Sequence, residues 1–199
     1  MKKIYLFFIA CVPLWTYAQL GIGVKAGINF TNVTNTAGIN ASSRSCYMFG
    51  GYISPKPKKL IGFRSEIILS RQGYDYKTNS NTGTVNLDYL LLPQLITFNF
   101  TKRFEVHLGG QAAFLLNTGV DSSAGNGNGS LFDYFNRFDY GFVGGIQVAP
   151  FSGLFLGARY NVSLHDMNKA LPIGGNNPNF IPKDFIKNNV LQLYAGWRF

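Results

Sequence analysis

Disulfides, a membrane-spanning helix and a water-loving surface are all missing from this chain, and each absence removes a class of protein. Of its two cysteines, Cys11 lies in an amino-terminal segment that reads as a cleavable leader, which leaves Cys46 alone. One thiol cannot close an intrachain disulfide, although export would permit one. After the leader no run of 18 uninterrupted apolar residues occurs, which excludes a transmembrane helix. Charged residues amount to 14%, where a soluble domain carries about 25%. Acidic residues are scarcest, 9 against 18 Lys and Arg. His107 has Glu105 beside it but no further His or Cys nearby, too few ligands for a metal, and neither a metal nor a cofactor is expected.

What is present begins with MKKIYLFFIACVPLWTYAQ. Lys2 and Lys3 precede an apolar run over 4–14, and Thr16 and Ala18 are small residues at the spacing a signal peptidase reads. Residues 1–18 are expected to be a signal peptide and 19–199 the mature domain. A lipid-modified amino terminus at Cys11 is the rival reading, with Phe8 standing where lipoprotein signals prefer Leu. Loss of Lys2 and Lys3 lowers the formal charge from +9 to +7. The remaining cations are scattered among Gly, Leu and Phe, which suits anionic lipid head groups and not nucleic acid.

An exported chain without a spanning helix is either secreted or crosses a membrane as strands. In 189–199, NVLQLYAGWRF, residues Leu191, Leu193, Ala195, Trp197 and Phe199 share one parity, while Val190, Gln192, Tyr194, Gly196 and Arg198 share the other. The segment has the roughly 9 to 11 residues that a tilted strand needs to cross a bilayer. The same alternation predicts strands over 20–30, 46–54, 60–71, 86–100, 104–117, 138–149 and 153–164. The segment 86–100 is the least regular, because Leu90, Leu91 and Leu92 break the alternation and Pro93 lacks a ladder donor. A G-x-G-x-x-A match at Gly21, Gly23 and Ala26 falls inside a strand with no helix after it, so it is set aside as a dinucleotide motif.

The connections alternate between long polar segments (31–45, 72–85, 118–137, 165–188) and short turns (55–59, 101–103, 150–152). That asymmetry and an even strand number predict an all-β, eight-stranded antiparallel up-and-down transmembrane β-barrel of the bacterial outer membrane, with short periplasmic turns and long extracellular loops. A soluble lipocalin-like barrel would bury the apolar parity and expose the other. Here the other parity is mostly Gly, Ser and Asn with few charges, too weakly polar to face water. Two aromatic girdles are expected: Tyr74, Tyr76, Tyr134, Phe135, Phe138 and Tyr140 on the loop side, and Phe100, Phe104, Phe151, Trp197 and Phe199 on the turn side.

The same parity turns Lys25, Arg64, Arg159 and Arg198 inward with Glu66, Glu105, Asp139 and His107, and Asn117 with them. Buried charges must pair or stay hydrated. A narrow eight-stranded bore is therefore expected to hold a salt-bridge plug, the alternative being a narrow conduit favouring small anions. Ser163, His165 and Asp166 offer a hydroxyl, an imidazole and a carboxylate, the ingredients of a lipid esterase. Residues two apart on a strand, however, stand about 6.5 to 7 Å apart, and Asp166 would face the other way. The chain is therefore expected to act without catalysis, as a structural or binding element. Its partners are expected to be outer-membrane lipid and other envelope or secretion proteins, met through aromatic loop residues Leu131, Phe132, Tyr134, Phe135 and Phe180.

Four stretches carry a family resemblance: GVKAGINF at 23–30, SEIILSRQGY at 65–74, YLLLP at 89–93 and FDYGFVGGIQV at 138–148. In this order and spacing they resemble the PorT-type outer-membrane β-barrels common in the Bacteroidetes, over essentially the whole mature chain. Family members often have an acidic residue where this chain has Leu91. The resemblance implies a small outer-membrane barrel and, through the founding member, an accessory part in type IX protein secretion.

Overall fold

The computed structural model describes residues 20–34, 42–55, 60–77, 82–122, 132, 134–169 and 186–199. Eight strands follow one another: β1 (Leu20–Thr34), β2 (Arg44–Pro55), β3 (Ile61–Lys77), β4 (Thr82–Asn99), β5 (Phe104–Ser122), β6 (Phe138–Val148), β7 (Leu154–Ser163) and β8 (Lys187–Arg198). Each pairs antiparallel with its successor, and β1 pairs with β8 from Gly23↔Arg198 to Thr34↔Lys187, so the sheet closes into a ring with no free seam. Closure satisfies backbone groups that a bilayer could not.

Alternation decides which side chains form the outer wall. Ile22, Val24 and Ile28 of β1, Phe142 and Ile146 of β6, Leu156 and Tyr160 of β7, and Leu191, Leu193 and Trp197 of β8 are exposed on the outer wall. Lys25, Arg64, Arg159 and Gln192 are buried inside. At Ser65 and Gln94 two polar residues stand on the outer wall, and the amide Nε2 donates to the hydroxyl at 2.9 Å. The polar Gln94 on an apolar face thus has its partner on the neighbouring strand.

Three features of the strands depart from the sequence reading. First, 72–85 is not a long loop: β3 continues to Lys77 and β4 begins at Thr82, so this connection is only 78–81. Arg71 and Asp88, paired through Nε and Oδ1 at 2.6 Å, mark where the outer wall of this extension turns polar. Second, β5 carries a bulge. Asp88 pairs with Asn117 and Tyr89 with Leu115, leaving Leu116 without a partner. The extra residue resets the alternation, so Asn117 points outward and donates to Asp88, contrary to its expected inward place. Third, the irregular β4 alternates cleanly in space. Val85, Leu87, Tyr89, Leu91 and Leu95 are buried inside, while Ile96 faces out. Its sequence looks unpatterned because leucines occupy both faces at 90–92.

The turn-side girdle has Phe100, Phe104, Phe151, Trp197 and Phe199 exposed, and on the loop side Phe138 and Tyr140 are exposed. Tyr74, Tyr76 and Phe135 are corrections: all three are buried within the barrel. The first two sit on the inward parity of β3, where no lipid reaches them. At the β6–β7 turn, Gly153 has φ +88°, and a Cβ there would come within 2.7 Å of the Trp197 indole. Glycine is required both for that backbone and for that ring.

Candidate functional site

The turn-side half of the lumen is ionic. Glu66 of β3 accepts from Lys25 Nζ of β1 at 2.7 Å and from Arg159 of β7, whose Nη1 and Nη2 donate to Oε2 and Oε1 at 2.7 and 2.9 Å. Arg64, two residues below Glu66, donates through Nη2 to Glu105 of β5 at 2.6 Å and through Nη1 to Gln147 at 3.2 Å. His107 Nδ1 lies 3.4 Å from Glu105 Oε1, and its Nε2 accepts from Arg159 Nε at 3.3 Å. Arg198 sits at the rim, donating to the Tyr52 hydroxyl at 3.2 Å with its Nη2 3.8 Å from Glu105.

Four cations thus face two carboxylates, and aromatic rings face the rest of the positive charge. Lys25 Nζ stands 4.5 Å over the Tyr194 ring and the Arg64 guanidinium 4.6 Å over Tyr52. Small residues make room for these rings. A Cβ at Gly157 would fall 2.4 Å from the Tyr194 ring, and one at Gly23 2.4 Å from that of Tyr52.

Higher up, the β1, β7 and β8 side stays polar. Asn29 donates to Ser70 Oγ at 2.8 Å and accepts from Gln192 at 3.0 Å, and Asn188 donates to Gln72. Asp139, half-buried, is not part of the ionic cluster below: its carboxylate accepts from the Ser163 hydroxyl at 2.7 Å. Next to it, Gln111, Asn161, Asn188 and Tyr89 line a cavity of about 10 Å³, room for a single water-sized body and no solute.

The opposite wall is apolar, which the parity argument missed. Ile68, Leu87, Leu91, Leu115, Tyr74, Tyr76, Phe135, Met167 and Ile186 form one buried cluster that fills the loop-side lumen. Residues beyond the strands complete it: Asn136 N–H donates to the Met167 carbonyl at 2.9 Å and Met167 N–H to that of Ile186 at 2.8 Å. The bore is therefore hydrophilic only in part, which corrects the expectation of a polar lining throughout. The available signal was Leu90–Leu91–Leu92, an apolar run that placed leucines on both faces.

Among the expected loop contacts, Phe135 is 0% exposed and so is unavailable from outside. Phe132 and Tyr134 are half-buried against the cluster, with Arg137 4.9 Å over the Phe132 ring. Leu131 and Phe180 lie outside the described residues. The esterase grouping does not assemble. Ser163 donates to Asp139 and sits 2.9 Å from the His165 carbonyl, whereas the His165 ring stands 2.9 Å from the Asp166 carbonyl and 5.8 Å from the Tyr140 ring. Among the described residues no three His, Cys, Asp or Glu converge as a metal site would need.

Comparison with known proteins adds a family. The model of the outer membrane protein beta-barrel domain matches residues 17–169. No curated protein matches the sequence. Ail, the attachment invasion locus protein of Yersinia pestis, is 12% identical with a TM-score of 0.50, covering 90% of this chain and 98% of its own. OprG from Pseudomonas aeruginosa is 11% identical with a TM-score of 0.50, covering 92% and 97%. At such identities the likeness concerns the fold.

Proposed function

Since this chain belongs to the outer membrane protein β-barrel family and resides in the bacterial outer membrane, we propose that it is a closed, non-enzymatic barrel with a structural or binding role. Its lumen is a plug, and partners meet it at the extracellular end. The observation that carries this reading is the continuity of the filling. The Lys25–Glu66–Arg159 group spans the turn-side bore, and the cluster around Phe135 closes the other half. Breaking either means exposing paired buried charge or packed apolar surface, at a cost of several kcal/mol.

Planar-bilayer recording tests it. The wild type gives no stable conductance, whereas discrete, reproducible openings would establish the narrow porin instead. An esterase is disfavoured because the Ser163 hydroxyl is committed to Asp139. Hydrolysis of a lipid ester that disappears in Ser163→Ala while the barrel stays folded would reverse that conclusion.

The four motifs resembling PorT-type barrels support a narrower place for the chain and, with it, an accessory role in protein secretion. In that case large envelope proteins co-purify with the full chain after crosslinking in intact cells. We also propose removal of 1–18 during export, checked by amino-terminal sequencing of the membrane-extracted protein.

A further inference from the structure

The turns at the two ends of the barrel differ in charge. The short connections 55–60, 100–103 and 149–153 contain Lys56, Lys58, Lys59, Lys102 and Arg103 and no acidic residue. On the opposite end cations and carboxylates are mixed: Arg71 pairs with Asp88 and Arg44 approaches Asp75. Of the basic turns, 100–103 is built in advance. Thr101 Oγ accepts from the N–H groups of Arg103 and Phe104 at 3.1 and 2.9 Å, and the Arg103 carbonyl accepts from Ala149 N–H at 2.7 Å, tying this turn to the next.

Lys102 and Arg103 are exposed there, beside a shallow crevice that they line together with Thr101, Glu105, Gln147 and Arg198. Glu105, the one carboxylate in that crevice, is already held by Arg64 at 2.6 Å, so the mouth keeps a positive excess. Phe100 and Phe104 flank the turn and are exposed, as are Phe151 and Phe199 nearby. Aromatic rings at the end of an apolar wall lie at head-group depth.

We infer that the β4–β5 turn is a binding site for the phosphate of anionic phospholipid in the periplasmic leaflet, with Lys102 and Arg103 as its principal cations and Arg198 behind them. The membrane location is the premise, and the inference goes beyond the closed-lumen reading, since a conducting barrel could carry the same collar. Lipid fits better than the polymer of the periplasmic wall because the cations stand between lipid-facing phenylalanines. The phosphates of a bilayer lie at the depth of such an aromatic belt.

The test uses the full chain refolded in phosphatidylcholine nanodiscs containing a minority of phosphatidylglycerol. Bound lipid is counted by mass spectrometry after partial delipidation. At roughly 1 kcal/mol per basic residue at a membrane surface, discounted for screening, the wild type retains phosphatidylglycerol on the order of tenfold above its bulk share. The excess falls away in about 0.5 M salt. Lys102→Gln/Arg103→Gln brings the ratio to the bulk value while urea unfolding and electrophoretic mobility stay those of the wild type, and Lys169→Gln on the other rim leaves the enrichment intact. Equal retention of both lipids by the wild type, undiminished enrichment in the double variant, or an equal loss in Lys169→Gln would each overturn the assignment. So would Lys102- and Arg103-dependent capture by isolated peptidoglycan without any lipid preference.

Discussion

Glu66 accepts three charge-assisted hydrogen bonds, one from Lys25 and two from Arg159, at 0% side-chain exposure. Glu66→Gln leaves two buried cations facing a neutral amide and should cost about 3–5 kcal/mol. Lys25→Met leaves the Glu66–Arg159 pair whole and should cost below about 2 kcal/mol. Urea unfolding of the two variants in the same vesicles checks the order, and equal losses would mean the carboxylate is not the hub. Gly157 makes a steric counterpart. Since a Cβ there would overlap the Tyr194 ring, Gly157→Val should destabilise by about 1–3 kcal/mol and shift the near-ultraviolet signal of the tyrosines. These residues were legible as inward-facing from parity alone. Their pairing was not, because Glu66 and Arg159 lie 93 positions apart and meet only when the ring closes.

Within β5 the bulge at Leu116 separates two alternating stretches whose parities differ. Deleting Leu116 should therefore be tolerated, since Thr118 and Val120 keep their half-buried inward places and Phe114 its lipid contact. Deleting Val162 from the unbulged β7 would turn Ser163 outward and force its strand neighbours out of register. The electrophoretic mobility shift of folded against heated protein separates the outcomes: the first deletion keeps it and the second loses it. The bulge also explains why Asn117 was misread, since one unpaired residue inverts every later assignment in the strand. The extension of β3 through Tyr74 and Tyr76 was hidden for a different reason. Beyond the apolar wall the outer parity becomes Arg71, Asp75 and Lys77, so the greasy face that marks a strand disappears while the hydrogen-bond ladder continues to Lys77↔Thr82.

Across the whole barrel, exposed Leu193 lies midway along the outer wall of β8 and exposed Phe199 at its turn-side end. Leu193→Arg should cost about 2–4 kcal/mol and Phe199→Arg about 0–1 kcal/mol, following depth in the bilayer. Reversible folding into vesicles measures both, and equal costs would contradict the assigned membrane level. The packed loop-side cluster has a global consequence as well. Phe135→Ala removes a fully buried ring from the cap and should cost about 3–5 kcal/mol. The ionic half of the lumen is untouched, so conductance should stay absent.

Strand number, the outer wall and the direction in which Lys25, Arg64, Glu66, Glu105, His107, Arg159 and Arg198 point were all available from periodicity, because a two-residue repeat is a local property. Which charges pair, where the lumen changes from ionic to apolar, and that Phe135 is packed inside and not presented at the surface were decided only by the tertiary structure. Those outcomes depend on which distant strands face each other across the bore, and no spacing along a single strand contains that information.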